Sequence, residues 1–221
     1  MNKLEMLNEK QREAVVCTEG PLLVLAGAGS GKTRVLTHRV AYLIQEKGVD
    51  PWNILAITFT NKAADEMKRR VEQLVPECAG MVWVSTFHSA CVRILRRYGE
   101  RLGYDRNFSI YDTDDQRTVM KQLFKDQKID KRLFKERDVL SYISWAKNKL
   151  LTPEDCKKEA VDFAEMKKAE LYQSYEKELK QNNAMDFDDL LVNTVRLFQD
   201  FSEILASYQE RFKYIMVDGY Q

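Results

Sequence analysis

The eight residues Ala26-Gly27-Ala28-Gly29-Ser30-Gly31-Lys32-Thr33 constrain the fold of this chain more than any other stretch. Glycines at 27, 29 and 31 favour neither strand nor helix, so the segment must be a turn between two regular elements. Before it, Gly20-Pro21 breaks the chain, and the short apolar run Leu22-Leu23-Val24-Leu25-Ala26 predicts a buried strand. After it, Val35, Leu36, Val40, Leu43 and Ile44 recur at helical spacing until Gly48 and Pro51, which predicts a helix from Thr33 to Glu46. Strand, glycine-rich loop and helix in that order place backbone N–H groups at a helix N-terminus, where small side chains let them curl around phosphate oxygens. Lys32 then reaches the β- and γ-phosphates of a nucleotide, the Thr33 hydroxyl ligates Mg²⁺, and Arg34 completes the candidate set. The strict phosphate-loop pattern has glycine at its first position where this sequence has Ala26, a change the chemistry tolerates.

The alternation continues downstream. Ile54 to Phe59 reads as a strand, Lys62 to Val75 as a helix, Val82 to Ser85 as a strand and Phe87 to Leu102 as a helix, which predicts an α/β fold with a parallel sheet covered by helices. Between Tyr111 and Asn183 the character changes to long charged segments, Asp114 to Asp126, Phe134 to Leu150 and Pro153 to Lys180, all helical and poor in strands. This predicts an all-helical insertion at 111–183, flanked by a first sheet segment at 1–110 and a return segment at 184–221. A polar helix capped by Asn8 opens the chain, and one long helix from Phe187 to Phe212 leads to a last strand, Tyr214 to Val217, ending at Asp218.

Composition excludes several classes. With 44% hydrophobic and 31% charged residues the chain has material for a core, and its longest apolar run, Leu22 to Ala26, is far too short to cross a bilayer, so no membrane partner is expected. Net charge is +1, yet residues 1–111 carry 16 Lys+Arg against 12 Asp+Glu, leaving a mild basic excess on the sheet-forming part. Cys17, Cys78, Cys91 and Cys156 form no CxxC pair and argue against a zinc site; scattered thiols without an apolar leader suit a cytoplasmic protein.

Around the loop, further segments resemble the UvrD/Rep/PcrA-type superfamily-one DNA helicases, and the resemblance runs over essentially the whole chain. Leu7-Asn8-Glu9-Lys10-Gln11 is similar to the family's adenine-reading segment, in which the Gln11 amide offers a donor and an acceptor to the base edge. Ile57-Thr58-Phe59-Thr60-Asn61-Lys62 resembles a segment touching single-stranded DNA, with Phe59 as stacking face and Thr60 and Asn61 as phosphate ligands. Val84-Ser85-Thr86-Phe87-His88-Ser89 resembles the segment linking DNA track to nucleotide, with Thr86 and His88 as its polar candidates. Arg93, Arg96 and Arg97 follow, either as phosphate contacts or as a solvated basic face. Met185-Asp186-Phe187-Asp188-Asp189 matches the family's return from the insertion, and Asp186 reads as a helix cap. The resemblance implies a RecA-like P-loop NTPase domain, ATP and Mg²⁺ as cofactors, single-stranded and duplex DNA as partners, and 3′-to-5′ translocation.

Asp218-Gly219-Tyr220-Gln221 departs from the family's Asp-Glu-Tyr-Gln. Asp218 matches the Mg²⁺-organising carboxylate, paired with Lys32 as the catalytic set, but Gly219 stands where the family has the base for the attacking water. The family also continues into a second RecA-like domain that supplies arginines, so the expectation is an ATP-binding N-terminal portion with little activity alone. Other readings stay open: a helicase–nuclease subunit of the same family, a non-motor ATP-binding switch to which Gly219 would be native, and a small-molecule kinase, which leaves Phe59 and Thr86 unexplained.

Overall fold

The computed structural model describes residues 3–219, and the chain divides into two compact units, Met1–Ser89 with Glu203–Gln221, and Ala90–Ser202. The expected insertion at 111–183 lies inside the second unit, which extends beyond it at both ends.

The first unit is built on a three-stranded parallel sheet in the order β2-β1-β5, with β1 at Ile54–Thr58, β2 at Trp83–Thr86 and β5 at Tyr214–Val217. Leu55 pairs with Trp83 on one side and with Ile215 on the other, so β1 is flanked on both edges. A strand so placed must be apolar on both faces, and Ile54, Ala56 and Ile57 are all buried. Helices α2, Lys32–Gln45, and α3, Asn61–Leu74, contribute Val40, Leu43, Met67 and Val71 to one core with Val84 and Met216. Helix α1, Glu9–Val16, starts at an Asn8 capping box and packs on α2 through Val15 and Val35. Helix α10, Ser202–Arg211, lays Tyr208 and the following Phe212 against Trp83.

One expected element is missing. Residues 21–27 take no regular secondary structure, and Leu22, Leu23, Val24 and Leu25 are 41–87% exposed. The apolar composition predicted a buried strand, but a strand also needs a ladder partner. Among the described residues strand β5 pairs with β1 alone, and its Ile215–Val217 line an open groove with the run instead of bonding to it.

The second unit receives the chain along α4, Phe87–Tyr98, and is mainly helical, with α5 at Thr113–Asp126, α6 at Glu136–Asn148, α7 at Pro153–Glu159, α8 at Phe163–Gln181 and α9 at Phe187–Asp200. Its core joins Met120, Phe124, Val139, Ile143, Leu171, Tyr175 and Leu179. Two corrections concern chain breaks. The stretch Pro153 to Lys180 is two helices, because Ala160 is extended and Asp162 caps α8 afresh. The stretch Phe187 to Phe212 is also two, divided at the non-helical Phe201, where one compact unit gives way to the other. A third finding is a short parallel pair, β3 at Ser109–Tyr111 with β4 at Ala184–Asp186, that brackets the helices.

Candidate functional site

The glycine-rich loop leads into α2 as a turn. Gly27 O accepts both Ser30 N–H, at 3.2 Å, and Ser30 Oγ, at 2.5 Å. Gly31, at φ +85°, is the N-cap, and no side chain caps the helix, so its first N–H groups remain open to an incoming anion. The left-handed backbone at 31 favours glycine, and a Cβ there would lie 2.7 Å from Gln11 Nε2, the end of a flexible side chain that would have to shift.

Gln11 is held against the loop. Its Nε2 donates to Ser30 O at 3.0 Å, while its Oε1 accepts from Asn8 N–H at 3.0 Å. Both halves of the amide expected to read adenine are thus engaged within the protein, and a base edge would replace these partners.

Across the groove, β5 delivers Asp218, whose backbone N–H donates to Ile57 O at 2.8 Å. Thr33 Oγ1 donates to Asp218 Oδ2 at 3.4 Å, although 185 positions separate the two residues. A cavity of about 880 Å³ is lined by Lys32, Val35, Arg39, the exposed run at 20–26 and Ile215 to Gly219. Lys32 and Asp218 therefore line one groove, with the Thr33 hydroxyl on Asp218, at the C-terminal end of a parallel strand, where open sheets take ligands. The set suits Mg·ATP: a magnesium ion keeps most of its shell as water and phosphate oxygen and asks one or two protein ligands. Among the described residues no group of three His, Cys, Asp or Glu side chains is placed to hold a metal without such help.

The remaining candidates cluster at the ends of β1 and β2. Phe59 is 57% exposed, its ring 5.1 Å from that of Phe87. Thr60 is the N-cap of α3, its Oγ1 accepting from Ala63 N–H at 3.1 Å, and Asn61 is exposed beside it. Thr86 is buried, accepts from Ser89 N–H at 3.1 Å and donates to Ser89 Oγ at 2.9 Å, while His88 is exposed. Arg96 turns inward: its Nη1 donates to Arg106 O and Phe108 O, and its guanidinium lies 3.8 Å over the Phe108 ring.

The family model for the UvrD/REP helicase N-terminal domain matches residues 7–221. The chain belongs to this family. It is 56% identical over 222 residues to the ATP-dependent DNA helicase PcrA of Staphylococcus epidermidis strain ATCC 35984, covering 100% of this chain and 30% of that protein. It is 54% identical over 218 residues to the PcrA of Staphylococcus aureus strain Mu50, covering 99% of this chain and again 30% of the relative. The chain thus spans 30% of the length of these helicases.

For a member of the UvrD/REP family, Gly219 is the position of interest. It sits at φ +79°, a left-handed conformation glycine adopts without cost, and a Cβ there would come 3.3 Å from Phe59 Cδ2. The exposed aromatic and the residue after Asp218 are thus neighbours. Tyr220 and Gln221, the rest of that segment, lie outside the described residues.

The sequence reading missed Lys147. This lysine is 2% exposed, with its Nζ 2.6 Å from Glu176 Oε1, 2.8 Å from Asp186 Oδ2 and 2.9 Å from Asp189 Oδ1. Asp186 caps α9 as expected, but it also accepts from Tyr175 Oη at 2.8 Å and Gln116 Nε2 at 3.2 Å. A signal existed: Lys147 stands eight positions after Val139 and four after Ile143, on the helix stripe that faces the core.

Proposed function

We propose that this chain is the ATP-binding portion of an ATP-dependent DNA helicase that moves along one strand in the 3′-to-5′ direction. The observation that carries the reading is that Lys32 and Asp218 line one groove while Thr33 donates to Asp218, residues brought there by a glycine-rich loop and a strand end far apart in sequence. Lys32 holds the β- and γ-phosphates and the first-turn N–H groups of α2 cradle them; Thr33 and Asp218 would hold a magnesium ion, which when bound would supply positive charge to the phosphate oxygens. Gln11 exchanges its contact with Ser30 for the adenine edge. Phe59 offers a stacking face to single-stranded DNA, with Asn61, Thr60, Thr86 and His88 along the same strand ends.

Hydrolysis by these residues is slow on this reading. Gly219 has no side chain to take a proton from water, and a general base is worth about 10²–10⁴ in rate. The arginines expected from a second RecA-like domain are worth about 10³–10⁵ more where such groups have been removed. Gly219 also favours a second reading, an ATP-binding switch that binds nucleotide and DNA without turnover, because its left-handed backbone suits glycine better than glutamate.

Equilibrium binding of Mg·ATP and of single-stranded DNA tests the first reading, with Lys32→Ala as control. The expected result is nucleotide binding weakened at least about tenfold by the substitution, the loss of one charge-assisted contact, with DNA binding retained. Equal nucleotide affinity in both proteins would remove the basis for the assignment.

A further inference from the structure

The Lys147 cluster holds one ammonium against three carboxylates. The side chains of Lys147, Asp186 and Asp189 are 1–5% exposed and that of Glu176 is 31% exposed. With every group ionised the site would carry a net charge of two negatives, with Asp186 and Asp189 buried and only Glu176 reaching water, a costly arrangement. Lys147 has three N–H bonds and three carboxylate neighbours, so it cannot satisfy more. Binding a proton is the direct relief.

The neighbours point the same way. Lys147 on α6 meets Glu176 on α8, Asp186 on β4 and Asp189 on α9; Tyr175 and Tyr172 on α8 and Tyr104 before β3 surround the site, and Lys180 on α8 is near enough to feel Asp189 and Glu176. Burial favours the neutral form of Lys147, but Asp189, Glu176 and Asp186 together hold its affinity for the proton well above the ordinary lysine value. Asp186 stays ionised despite burial, because Lys147 and its hydrogen bonds favour the charged form. Asp189 is pushed up to about 7 by burial, opposed by Lys147 and reinforced by Glu176 and Asp186. Glu176 is the member with a way out: its side chain is the most exposed of the four, and its buried Oε1, 2.6 Å from Lys147 Nζ, is held by the ion pair without a hydrogen bond.

We propose that this cluster is a proton-operated latch in the helical unit, in which one bound proton keeps Glu176 on Lys147 and its loss lets Glu176 turn to solvent, loosening α8 from α6. The folded unit then keeps a proton that an unfolded aspartate, at its usual 3.8, has already released. Stability from this site is full below that value, falls as pH rises, and levels off once pH passes about 7. Asp186 works in the opposite sense at more acid pH, since its affinity for a proton is lowered.

Carboxyl ¹³C NMR titration of the 221-residue protein tests this. The expected result is one carboxyl titrating near neutrality, absent in Asp189→Asn, and moved down by roughly one pH unit or more in Glu176→Gln, which removes a neighbouring negative charge. Amide exchange along α8, corrected for its intrinsic pH dependence, is expected to speed up from acid to neutral pH in the wild type and to stay level in Glu176→Gln. Glu176→Gln changes a partly exposed residue, so the test stands even where Asp189→Asn fails to fold. Titration of all cluster carboxyls below about pH 5, an unmoved midpoint in Glu176→Gln, or α8 exchange that ignores pH would each overturn the latch.

Discussion

Gly219 and Phe59 show how two residues read separately in the sequence become one problem in space. A glutamate at 219 would hold a left-handed backbone, which costs a non-glycine residue about 1–2 kcal/mol, or shift out of it, and its Cβ, 3.3 Å from Phe59 Cδ2, would press the ring slightly aside. Gly219→Glu is therefore expected to raise single-turnover phosphate release by about 10²–10⁴ at some loss of stability, while Gly219→Ala brings the strain without the gain. Unchanged release in a Glu variant that still binds Mg·ATP would show that the missing base is not what limits the chemistry. Phe59→Ala is expected to weaken single-stranded DNA binding by about 1–3 kcal/mol if one base stacks there, with nucleotide affinity preserved. Equal DNA affinity by fluorescence anisotropy would remove Phe59 from the DNA track. The exposed ring could not be foreseen from composition, since a phenylalanine at a strand end is more often core.

Among elements, legibility followed the kind of interaction that defines each one. Strand β5 and helices α2, α3 and α5 lie within a residue or two of where periodicity put them, because their own side chains mark the buried face. The run Leu22 to Ala26 did not become a strand, because pairing depends on a partner edge that no local pattern reveals. The breaks at 160–162 and at Phe201 were invisible for a similar reason: neither contains proline or glycine, and an Asp162 cap is silent until the chain turns. The Thr33–Asp218 meeting was legible from motif order, whereas the cluster joining α6, α8, β4 and α9 was not, since each of its charges reads as surface when taken alone. Lys147→Met tests how much those elements rely on it. Removing the cation leaves three carboxylates facing one another, so the helical unit is expected to lose about 3–5 kcal/mol, read from urea unfolding at neutral pH. A loss below about 1 kcal/mol, the scale of a surface pair, would show that water already reaches the site.

For the molecule as a whole, the two units each have their own core, and no helix among the described residues is long and apolar enough to cross a membrane. A net charge of +1 gives the chains little mutual repulsion. Against that weak repulsion, four exposed aliphatic side chains at 22–25 share a groove with β5, whose outer edge has no strand partner among the described residues and whose Ile215 is 60% exposed. Such a seam can add the same seam of another molecule, sheet edge to sheet edge, and growth of that kind has no natural stopping point. Concentrated solutions are therefore expected to scatter light well before other chains of this size do, and Leu23→Lys, a charge on the seam, is expected to raise the concentration at which turbidity sets in. The hazard lies next to the phosphate loop itself, so whatever fills the groove would also keep the protein in solution.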